Sequence, residues 1–474
     1  MSYQNALTRM YALGHELAAT PSHKFDLAHM RVLLEGLDHP ERRFPAVLIA
    51  GTNGKGSTAA TLASILCASG LRTGLYTSPH LVRINERIRI NDVEISDDDF
   101  AVLHDVVDRT AERLVTGGEL PWHPSFFEML TAMAFEYFSG HEVDIAVLEV
   151  GMGGRLDATN VIEPRVSVIT DVSLDHQKYL GETIAEIARE KAGIIRRGGA
   201  VVTLPQHPEA NDVIGNTILE HEAKPISAVQ FVPPVSPSSG EYLDHKTETP
   251  GVSRYPLQVL GKEIVVETRL TGRHQLRNVA LAIAAAEELS KQGFPVSAET
   301  IERGIRETRW AGRFQIVKAA GESTEYVLDV AHNPAGAWAL RSTLSAAYGE
   351  RPFTLVFGAM RDKAIAEMAE ILFPLAERII VTRADNPRSA TTQEIRQAAA
   401  RVAMDVEPAA NVAEALQKAG GAALASAGTG AHAPASMGLV VVTGSIYIVG
   451  EAMQVLSPRI PASPPVPSAV ICGS

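Results

Sequence analysis

Short, continuously apolar runs recur along the chain and alternate with segments that have the period of a helix. The apolar runs are residues 46–50, 144–150, 165–170, 326–330, 353–357, 378–382 and 439–443. Strands buried on both faces of a parallel sheet have this continuous character, and the segments between the runs can carry crossover helices. The pattern therefore predicts a doubly wound α/β architecture in both halves of the chain.

The middle of the chain interrupts this rhythm. Residues 231–255 contain prolines and serines without a clear period, which predicts a surface excursion. Residues 257–270 predict a β-hairpin, because a Gly-Lys pair separates two strand-like runs. Residues 276–289 are rich in alanine and predict a strong helix.

A chain of 474 residues is too long for one ordinary domain and predicts two. We place the boundary after the alanine-rich helix and before the next strands, which gives domains of residues 1–308 and 309–457. Residues 420–437 are rich in Ala, Gly and Ser and predict a flexible loop. Residues 458–474 contain five prolines and predict a disordered tail.

The segment after the first apolar run predicts a phosphate-binding loop. It reads Gly51-Thr52-Asn53-Gly54-Lys55-Gly56-Ser57 and is followed by a helix-like stretch at 59–66. Glycines let backbone N–H groups curl around an anion, the helix N-terminus adds positive potential, and the lysine neutralises phosphate charge. The order departs from the common G-x-x-x-x-G-K-[ST], because a glycine stands between the lysine and the serine. We therefore predict a nucleotide site of an unusual subtype.

Several side chains could complete such a site with Mg²⁺, which prefers hard oxygen ligands. Ser57 and Ser78 offer hydroxyls, and Glu149 ends an apolar run, where ligands collect at the edge of an open α/β sheet. The simpler interpretation of Glu149 is a hydrated acid at a strand end. His176, in a loop, has the character of a structural or solvated histidine. Lys191, near a predicted helix end, has the character of a surface lysine matched to the helix dipole.

The second half of the chain repeats the placement of polar groups after a strand. Asp329, near the end of the run at 326–330, could contact a ribose, and His332, just after the run, could contact phosphate oxygens. Arg313 is a candidate cationic clamp near the domain boundary. Together these residues favour a nucleotide held between two α/β domains that close on it.

Composition narrows the function classes. Apolar residues make up 46% and charged residues 21%, as in ordinary soluble enzymes. A net charge of −12 without a basic stripe argues against a nucleic-acid partner. Two cysteines, without metal-ligand spacing, exclude a disulfide scaffold. We see neither a signal peptide nor a membrane-spanning stretch, which predicts no membrane partner and a cytoplasmic location.

Six ordered motifs carry a family resemblance. They lie at residues 51–57, 77–81, 149–160, 175–176, 190–194 and 272–275, and segments 328–334 and 443–451 continue the match. The chain resembles folylpolyglutamate synthase and the bifunctional dihydrofolate synthase of the Mur ligase superfamily over about residues 5–455. The resemblance implies a P-loop-type ATPase domain followed by a smaller Rossmann-like glutamate ligase domain. It also implies a monomer.

The resemblance further implies an ATP-dependent amide ligase that adds L-glutamate to dihydropteroate and to tetrahydrofolates. The acceptor carboxylate attacks the γ-phosphate of ATP to form an acyl phosphate, and the amino group of glutamate displaces phosphate. Lys191 matches the lysine that the family carbamylates, which reverses the interpretation of it as a surface lysine.

Site residues carry over from the family by position. The catalytic set is Lys55, His176 and Lys191. The magnesium set is Ser57, Ser78, Glu149, His176 and carbamylated Lys191. The ATP set is Gly51, Thr52, Asn53, Gly54, Lys55, Gly56, Ser57, His274, Gln275, Asn278, Arg313, Asp329 and His332. The pterin set is Arg83, Ser125, Phe127, Asp157 and Ala158. For Phe127 and Asp157, a core aromatic and a loop cap remain open as alternatives.

Other functions stay open at this point. A polyglutamylating enzyme without activity on dihydropteroate has the same motifs. A cell-wall ligase of the Mur type matches the metal and carbamylation motifs less closely. A regulatory ATP-binding protein would turn over ATP without a response to glutamate. A kinase is disfavoured, because it does not explain strand-edge sites in two domains.

Overall fold

The apolar runs form strands. In a computed structural model that describes residues 1–14, 27–234, 251–318, 324–402, 405–426 and 438–456, every predicted run contains a strand, with bounds that differ by at most two residues. The described chain divides into a first unit, Met1–Ala311, and a second unit that begins at Gly312.

The first unit alternates strands with helices. Its strands are β1 (Ala46–Ala50), β2 (Thr73–Tyr76), β3 (Ile88–Ile90), β4 (Val93–Glu94), β5 (Ile145–Glu149), β6 (Val166–Ile169), β7 (Ala200–Thr203), β8 (Lys224–Ser227), β9 (Ser253–Val259) and β10 (Lys262–Thr268). Its helices are α1 (Tyr3–Ala12), α2 (Leu27–Gly36), α3 (Lys55–Ala68), α4 (Asp97–Thr116), α5 (Phe126–Gly140), α6 (Gln177–Leu180), α7 (Ile184–Ala192), α8 (Pro208–Glu220), α9 (Arg273–Lys291) and α10 (Ala298–Glu307).

Within the described residues, the main sheet of the first unit has eight strands in the order β4-β3-β2-β5-β1-β6-β7-β8. Neighbouring strands in the series β2-β5-β1-β6-β7-β8 pair in parallel, whereas β3 and β4 are antiparallel additions at one edge. Leu48 of β1 packs into the core under α4, α5 and α7, whereas Val47 and Ile49 pack into the core under α3, α9 and α10. Both faces are therefore buried, which explains why β1 is apolar throughout.

The second unit is a smaller α/β fold. Its strands are β11 (Gln315–Lys318), β12 (Thr324–Leu328), β13 (Thr354–Phe357), β14 (Arg378–Val381), β15 (Glu407–Pro408) and β16 (Gly438–Thr443). Its helices are α11 (Pro334–Tyr348), α12 (Ile365–Leu372), α13 (Thr392–Ala398), α14 (Val412–Ser426) and α15 (Ile446–Leu456). In the described part of the chain the sheet order is β11-β12-β16-β13-β14-β15, parallel except for β11.

Two local predictions are confirmed and one is wrong in part. Strands β9 and β10 form the expected hairpin, with Val259 paired to Lys262, although β9 begins four residues earlier than predicted. The alanine-rich helix is α9. The loop predicted at 420–437 is wrong at its start, because α14 continues to Ser426. The rest of that loop, most of the excursion at 231–255 and the tail at 458–474 lie outside the described residues.

The apolar content of the helices also bears on membranes. Across the described ranges, no helix is both long enough and apolar enough to span a bilayer.

Candidate active site

The phosphate loop joins β1 to α3 and lies at the carboxyl edge of the parallel sheet. Gly54 caps α3 with φ +88°, a left-handed conformation that favours glycine. A Cβ atom at Gly54 would lie 2.2 Å from Asn278 Oδ1, so the loop also needs glycine for its close approach to α9. The loop thus presents the N-terminus of a 14-residue helix, where backbone N–H groups favour an anion.

The segment after β6 braces this loop from the side. The Thr52 backbone N–H donates to Asp171 O at 2.6 Å, and Thr52 Oγ1 donates to Ser173 O at 2.9 Å. Thr170 Oγ1 donates to Asn53 O at 2.8 Å. These bonds hold the loop backbone in one conformation. Sequence reasoning did not single out Thr170, Asp171 or Ser173, because their contribution depends on pairs about 120 residues apart.

Two lysines converge on one carbonyl of the loop. Lys55 Nζ donates to Gly51 O at 3.1 Å and to Thr52 O at 3.2 Å, and Lys191 Nζ donates to Gly51 O at 2.9 Å. Lys191 is 3% exposed, so the residue-based interpretation of it as a surface lysine is wrong. Burial, with repulsion from the Lys55 ammonium, lowers the pKa of Lys191 from 10.5 to about 7, although Asp175, Asp171 and Asp157 oppose the shift.

Oxygen atoms that could bind a cation lie at the start of α3. Glu149 ends β5, is 5% exposed and accepts from the Ser78 backbone N–H at 3.2 Å through Oε2. The same Oε2 lies 3.4 Å from the position of a Cβ at Gly56, next to Ser57 in α3. Ser57 Oγ is buried and, among the described residues, has no hydrogen-bond partner. A buried hydroxyl in this state favours a ligand such as a cation.

The hydroxyl and carboxylate oxygens at this place are of the kind that Mg²⁺ prefers as ligands. No group of three or more His, Cys, Asp or Glu side chains in the described ranges is arranged to hold a metal ion. The expected set contains only two such residues, Glu149 and His176, and otherwise uses hydroxyls and Lys191. An unmodified amine is a poor magnesium ligand, whereas a carbamate offers hard oxygen. The site therefore fits Mg²⁺ with hydroxyl and carboxylate donors, and Lys191 would contribute only as a carbamate.

His176 caps the short helix α6 in a left-handed conformation, with φ +51°. Its backbone N–H donates to Asp175 Oδ1 at 2.8 Å, and its Nε2 lies 3.9 Å from Asp175 Oδ2. Asp175 is therefore a further site residue, because its charge also acts on Lys191. The sequence signal for Asp175 was the Asp-His pair in the loop that follows β6.

The start of α9 brings the predicted nucleotide residues of the first unit together. Gln275 and Asn278 are 2% and 5% exposed, and Asn278 Nδ2 donates to Gln275 Oε1 at 3.0 Å. Thr58 Oγ1 of α3 donates to the Asn278 carbonyl at 3.4 Å. His274 precedes them and is half-buried. This amide pair thus packs directly against the phosphate loop.

In the second unit, three predicted residues share the carboxyl end of β12. Asp329 is buried and accepts from the Phe314 and Ala331 backbone N–H groups at 2.8 and 2.9 Å. Burial raises the pKa of Asp329, and the charges of Arg313 and His332 oppose the rise. His332 Nδ1 lies 3.0 Å from Val330 O. The carboxylate of Asp329 therefore already orders the loops that carry the other two side chains.

Three of the predicted pterin residues, Phe127, Asp157 and Ala158, lie in or against the loop after β5. Phe127 is half-buried near the start of α5, and its Cζ lies 2.5 Å from the position of a Cβ at Gly151, so this glycine is needed for the contact. Asp157 is buried and accepts from the Met152 and Thr159 backbone N–H groups at 3.0 Å each. Burial raises the pKa of Asp157, and hydrogen bonds from its own loop oppose the rise. Ala158, 7% exposed, follows it.

Asp157 therefore acts as a loop cap, the simpler of the two interpretations. A contact between Asp157 and a pterin stays a prediction, as does stacking on Phe127.

Ser125 and Arg83 have structural partners of their own. Ser125 caps α5, accepting from the Glu128 backbone N–H at 3.4 Å while Glu128 Oε2 accepts from the Ser125 N–H at 2.8 Å. Arg83 forms an ion pair with Asp97 at 2.5 Å, with half of its side chain exposed. Their roles in substrate binding stay predictions.

Both units of the chain match known ligase families. Two family models match the chain: the Mur ligase middle domain over residues 101–286 and the Mur ligase, glutamate ligase domain over residues 312–446. Dihydrofolate synthase/folylpolyglutamate synthase of Bacillus subtilis is 37% identical over 380 residues, 78% of this chain and 84% of the relative. The protein of the same name from Mycobacterium tuberculosis is 33% identical over 449 residues, 90% of this chain and 89% of the relative.

A solved structure matches the chain along nearly its whole length. Folylpolyglutamate synthase of Mycobacterium tuberculosis, complexed with ADP and AMPPCP, matches with a TM-score of 0.83 at 30% sequence identity. The match covers 97% of this chain and 100% of that structure.

Proposed function

Because the chain belongs to the dihydrofolate synthase/folylpolyglutamate synthase family of Mur ligases, we propose that it joins L-glutamate to dihydropteroate and to reduced folates at the expense of ATP. The observation that carries the proposal is the convergence of Lys55 and buried Lys191 on Gly51 O at the phosphate loop. A loop that only held a nucleotide would not need a second, buried lysine beside the first.

The reaction has two steps. First, a carboxylate oxygen of the acceptor attacks the γ-phosphorus of ATP, and the bond from that phosphorus to the β,γ-bridging oxygen breaks to give an acyl phosphate and ADP. Then the amino group of glutamate attacks the acyl carbon, and inorganic phosphate leaves with the C–O bond electrons. The amine loses a proton as the amide forms.

The chain contributes positioning and charge to both steps. The Lys55 ammonium and the N-terminus of α3 would stabilise the charge that develops on the transferred phosphoryl group. The hydrogen bonds from Thr52 and Asn53 to the segment after β6 keep the loop preorganised. Gln275, Asn278 and His274 would contact the nucleotide from α9, and Arg313, Asp329 and His332 would contact it from the second unit.

Magnesium would be held by Ser57, Ser78, Glu149, His176 and carbamylated Lys191. When bound, it would supply Lewis-acid stabilisation of phosphate oxygens. The chain's own part is to offer buried oxygen donors, among which Ser57 Oγ is the clearest. The Lys191 amine, with a pKa of about 7, is in part neutral near neutral pH and so can react with CO₂.

The acceptor would bind near Phe127, with Arg83, Ser125, Asp157 and Ala158 around it. A face of Phe127 can stack on a pterin ring. We further propose a monomer that works in the cytoplasm, where ATP is available, without nucleic-acid or membrane partners.

The test is ADP release by the pure protein with ATP, Mg²⁺ and L-glutamate, comparing dihydropteroate with tetrahydrofolate. We expect glutamate-dependent release with both acceptors and a product heavier by one glutamyl residue. Release with tetrahydrofolate alone would make the protein a polyglutamylating enzyme only. ATP turnover that does not depend on glutamate would favour a regulatory ATP-binding protein instead.

A further inference from the structure

The indole of Trp310 packs edge-on against the start of α3. A Cβ atom at Gly56 would lie 3.1 Å from Trp310 Nε1 and 3.2 Å from its Cζ2. Gly56 is the second residue of α3, between Lys55 and Ser57. The indole edge therefore occupies the space that any larger residue at position 56 would need.

The ring of Trp310 has a second, charged neighbour. The Arg89 guanidinium lies over the indole, 5.6 Å from its centroid. Arg89 is itself fixed by ion pairs with Asp92 at 3.1 Å and Glu94 at 3.5 Å. A cation over an indole face is attracted by the ring quadrupole, so these contacts fix the ring orientation.

The indole nitrogen is a buried donor without an acceptor. Among the described residues, Trp310 Nε1 has no hydrogen-bond partner. An indole nitrogen can only donate, and a buried donor left unpaired is costly. Glu149 Oε2 is the nearest acidic oxygen to the same place, 3.4 Å from the Cβ position at Gly56.

We propose that Trp310 is a positioning residue for Glu149: its Nε1–H donates to the Glu149 carboxylate when a divalent cation and nucleotide occupy the phosphate loop. The indole thereby orients one oxygen of Glu149 toward the cation. This inference rests on the proposed function, since it takes Glu149 as a magnesium ligand.

The pairing also explains the unusual order of the phosphate loop. The glycine between the lysine and the serine is required by the indole that lies against it, because even a methyl group would enter the contact range of Nε1. Gly56 and Trp310 are therefore a matched pair, separated by more than 250 residues in the sequence.

The first test uses Trp310 as its own reporter. The sequence contains three tryptophans, and Trp122 and Trp338 are 40% and 57% exposed. In a Trp122→Phe/Trp338→Phe protein saturated with ADP, added Mg²⁺ should change Trp310 emission. Glu149→Gln in the same protein should abolish the change or raise its midpoint about tenfold. The proposal would be overturned if Trp310 emission did not change on addition of Mg²⁺. It would also be overturned if the Glu149→Gln protein showed the same change as the protein with Glu149.

The second test is a double-mutant cycle on Mg²⁺ affinity, measured by calorimetry on the ADP complex. Trp310→Phe removes the N–H and should weaken Mg²⁺ binding about tenfold, whereas ADP affinity in EDTA should stay unchanged. Gly56→Ala should also weaken Mg²⁺ binding about tenfold, measured at saturating ADP because Gly56 belongs to the phosphate loop, and the double variant should lose no more Mg²⁺ affinity than either single variant. Trp338→Phe is the matched control. Unchanged Mg²⁺ affinity in Trp310→Phe, or additive losses, would overturn the pairing.

The two tests are independent of turnover. If wild-type protein released no ADP with any acceptor, the proposed function would fail while these binding measurements could still succeed.

Discussion

At the scale of single residues, Lys191 depends most on its surroundings. Its side chain leaves α7 and reaches Gly51 O, 140 residues away in the sequence. Burial and the neighbouring Lys55 make the ammonium form costly there. The same lysine on a helix surface would stay charged, whereas this fold favours the neutral amine that the proposed carbamylation requires.

A pH-dependent stability follows from this burial. Below about pH 7, Lys191 is protonated in the folded and the unfolded protein, so the cost of burying its charge fully destabilises the fold. Between about pH 7 and pH 10.5, Lys191 binds the proton only in the unfolded protein. The unfolding free energy should therefore rise with pH in this window. In urea titrations without metal or bicarbonate, the unfolding free energy of the wild type should rise by about 2 kcal/mol more between pH 7 and pH 9 than that of Lys191→Met.

Lys178→Met, at an exposed position, is the control and should show no such difference. A pH profile of Lys191→Met that runs parallel to that of the wild type would contradict the lowered pKa.

Carbamylation of Lys191 has a direct spectroscopic signature. With ¹³C-bicarbonate, the wild type should show a protein carbamate resonance that is missing from Lys191→Ala. The variant should lose turnover by at least about a hundredfold, because an electrostatic contributor at the reacting phosphate is removed. ADP affinity should fall much less. Wild-type turnover in Lys191→Ala would remove the carbamate from the mechanism.

At the scale of elements, the approach of α9 to the phosphate loop sets the geometry of the site. Gly54→Ala would place a methyl group 2.2 Å from Asn278 Oδ1 and force the loop or the helix to move. We expect turnover to fall by about a hundredfold, since a displacement of 1 Å in an active site can have that effect.

Gly70→Ala is the matched control. Gly70 has nearly the same φ, +83° against +88°, but no atom lies within 4 Å of its Cβ position in the described structure. It should lose about 1 kcal/mol of unfolding free energy and no turnover. Equal turnover losses in both variants would show that backbone strain, not the approach of α9, matters.

The N-terminus of α5 carries both a helix cap and the proposed acceptor site. Ser125→Ala removes the capping side chain and should lower the unfolding free energy by about 1 kcal/mol. Because Phe127 lies in the first turn, KM for the acceptor should rise as well. Ser96→Ala, which removes the cap of α4, should be equally destabilising without this effect on KM. An unchanged KM in Ser125→Ala would separate the cap from substrate binding.

The sequence predicts β1, β5 and β6 of the first sheet and β12, β13, β14 and β16 of the second, because continuous apolar runs leave few alternatives. It does not predict β2 and β7, although both are buried, the short strand β3, or the edge strands β4, β8, β11 and β15. Edge strands are short and partly polar, and β8 is largely exposed, so their pattern resembles that of loops. Residues that the sheet brings to its edge, such as Glu149, were predictable as strand ends.

Contacts between distant segments were not predictable. The local pattern predicted a surface position for Lys191, and only the family resemblance pointed to the phosphate loop, where Lys191 is buried. Trp310 and Gly56 carried no local signal of their pairing. Asp157 shows the reverse case, because its loop-capping bonds span at most five residues and the local interpretation already included them.

At the scale of the whole molecule, a net charge of −12 does not prevent the use of anionic substrates. Two lysines and a helix N-terminus at the phosphate loop supply local positive potential, which falls off within about 10 Å at ordinary ionic strength. Catalysis then depends on the charges next to the reacting atoms and not on the field of the whole protein.

The most direct measurement follows an oxygen atom from the acceptor. If the acceptor carboxylate is labelled with ¹⁸O and incubated with ATP, Mg²⁺ and L-glutamate, an acyl phosphate must transfer one labelled oxygen to inorganic phosphate for each amide formed. We predict one ¹⁸O per phosphate with both dihydropteroate and tetrahydrofolate, and no labelled phosphate without glutamate. Amide formation that leaves the phosphate unlabelled would contradict the acyl-phosphate mechanism.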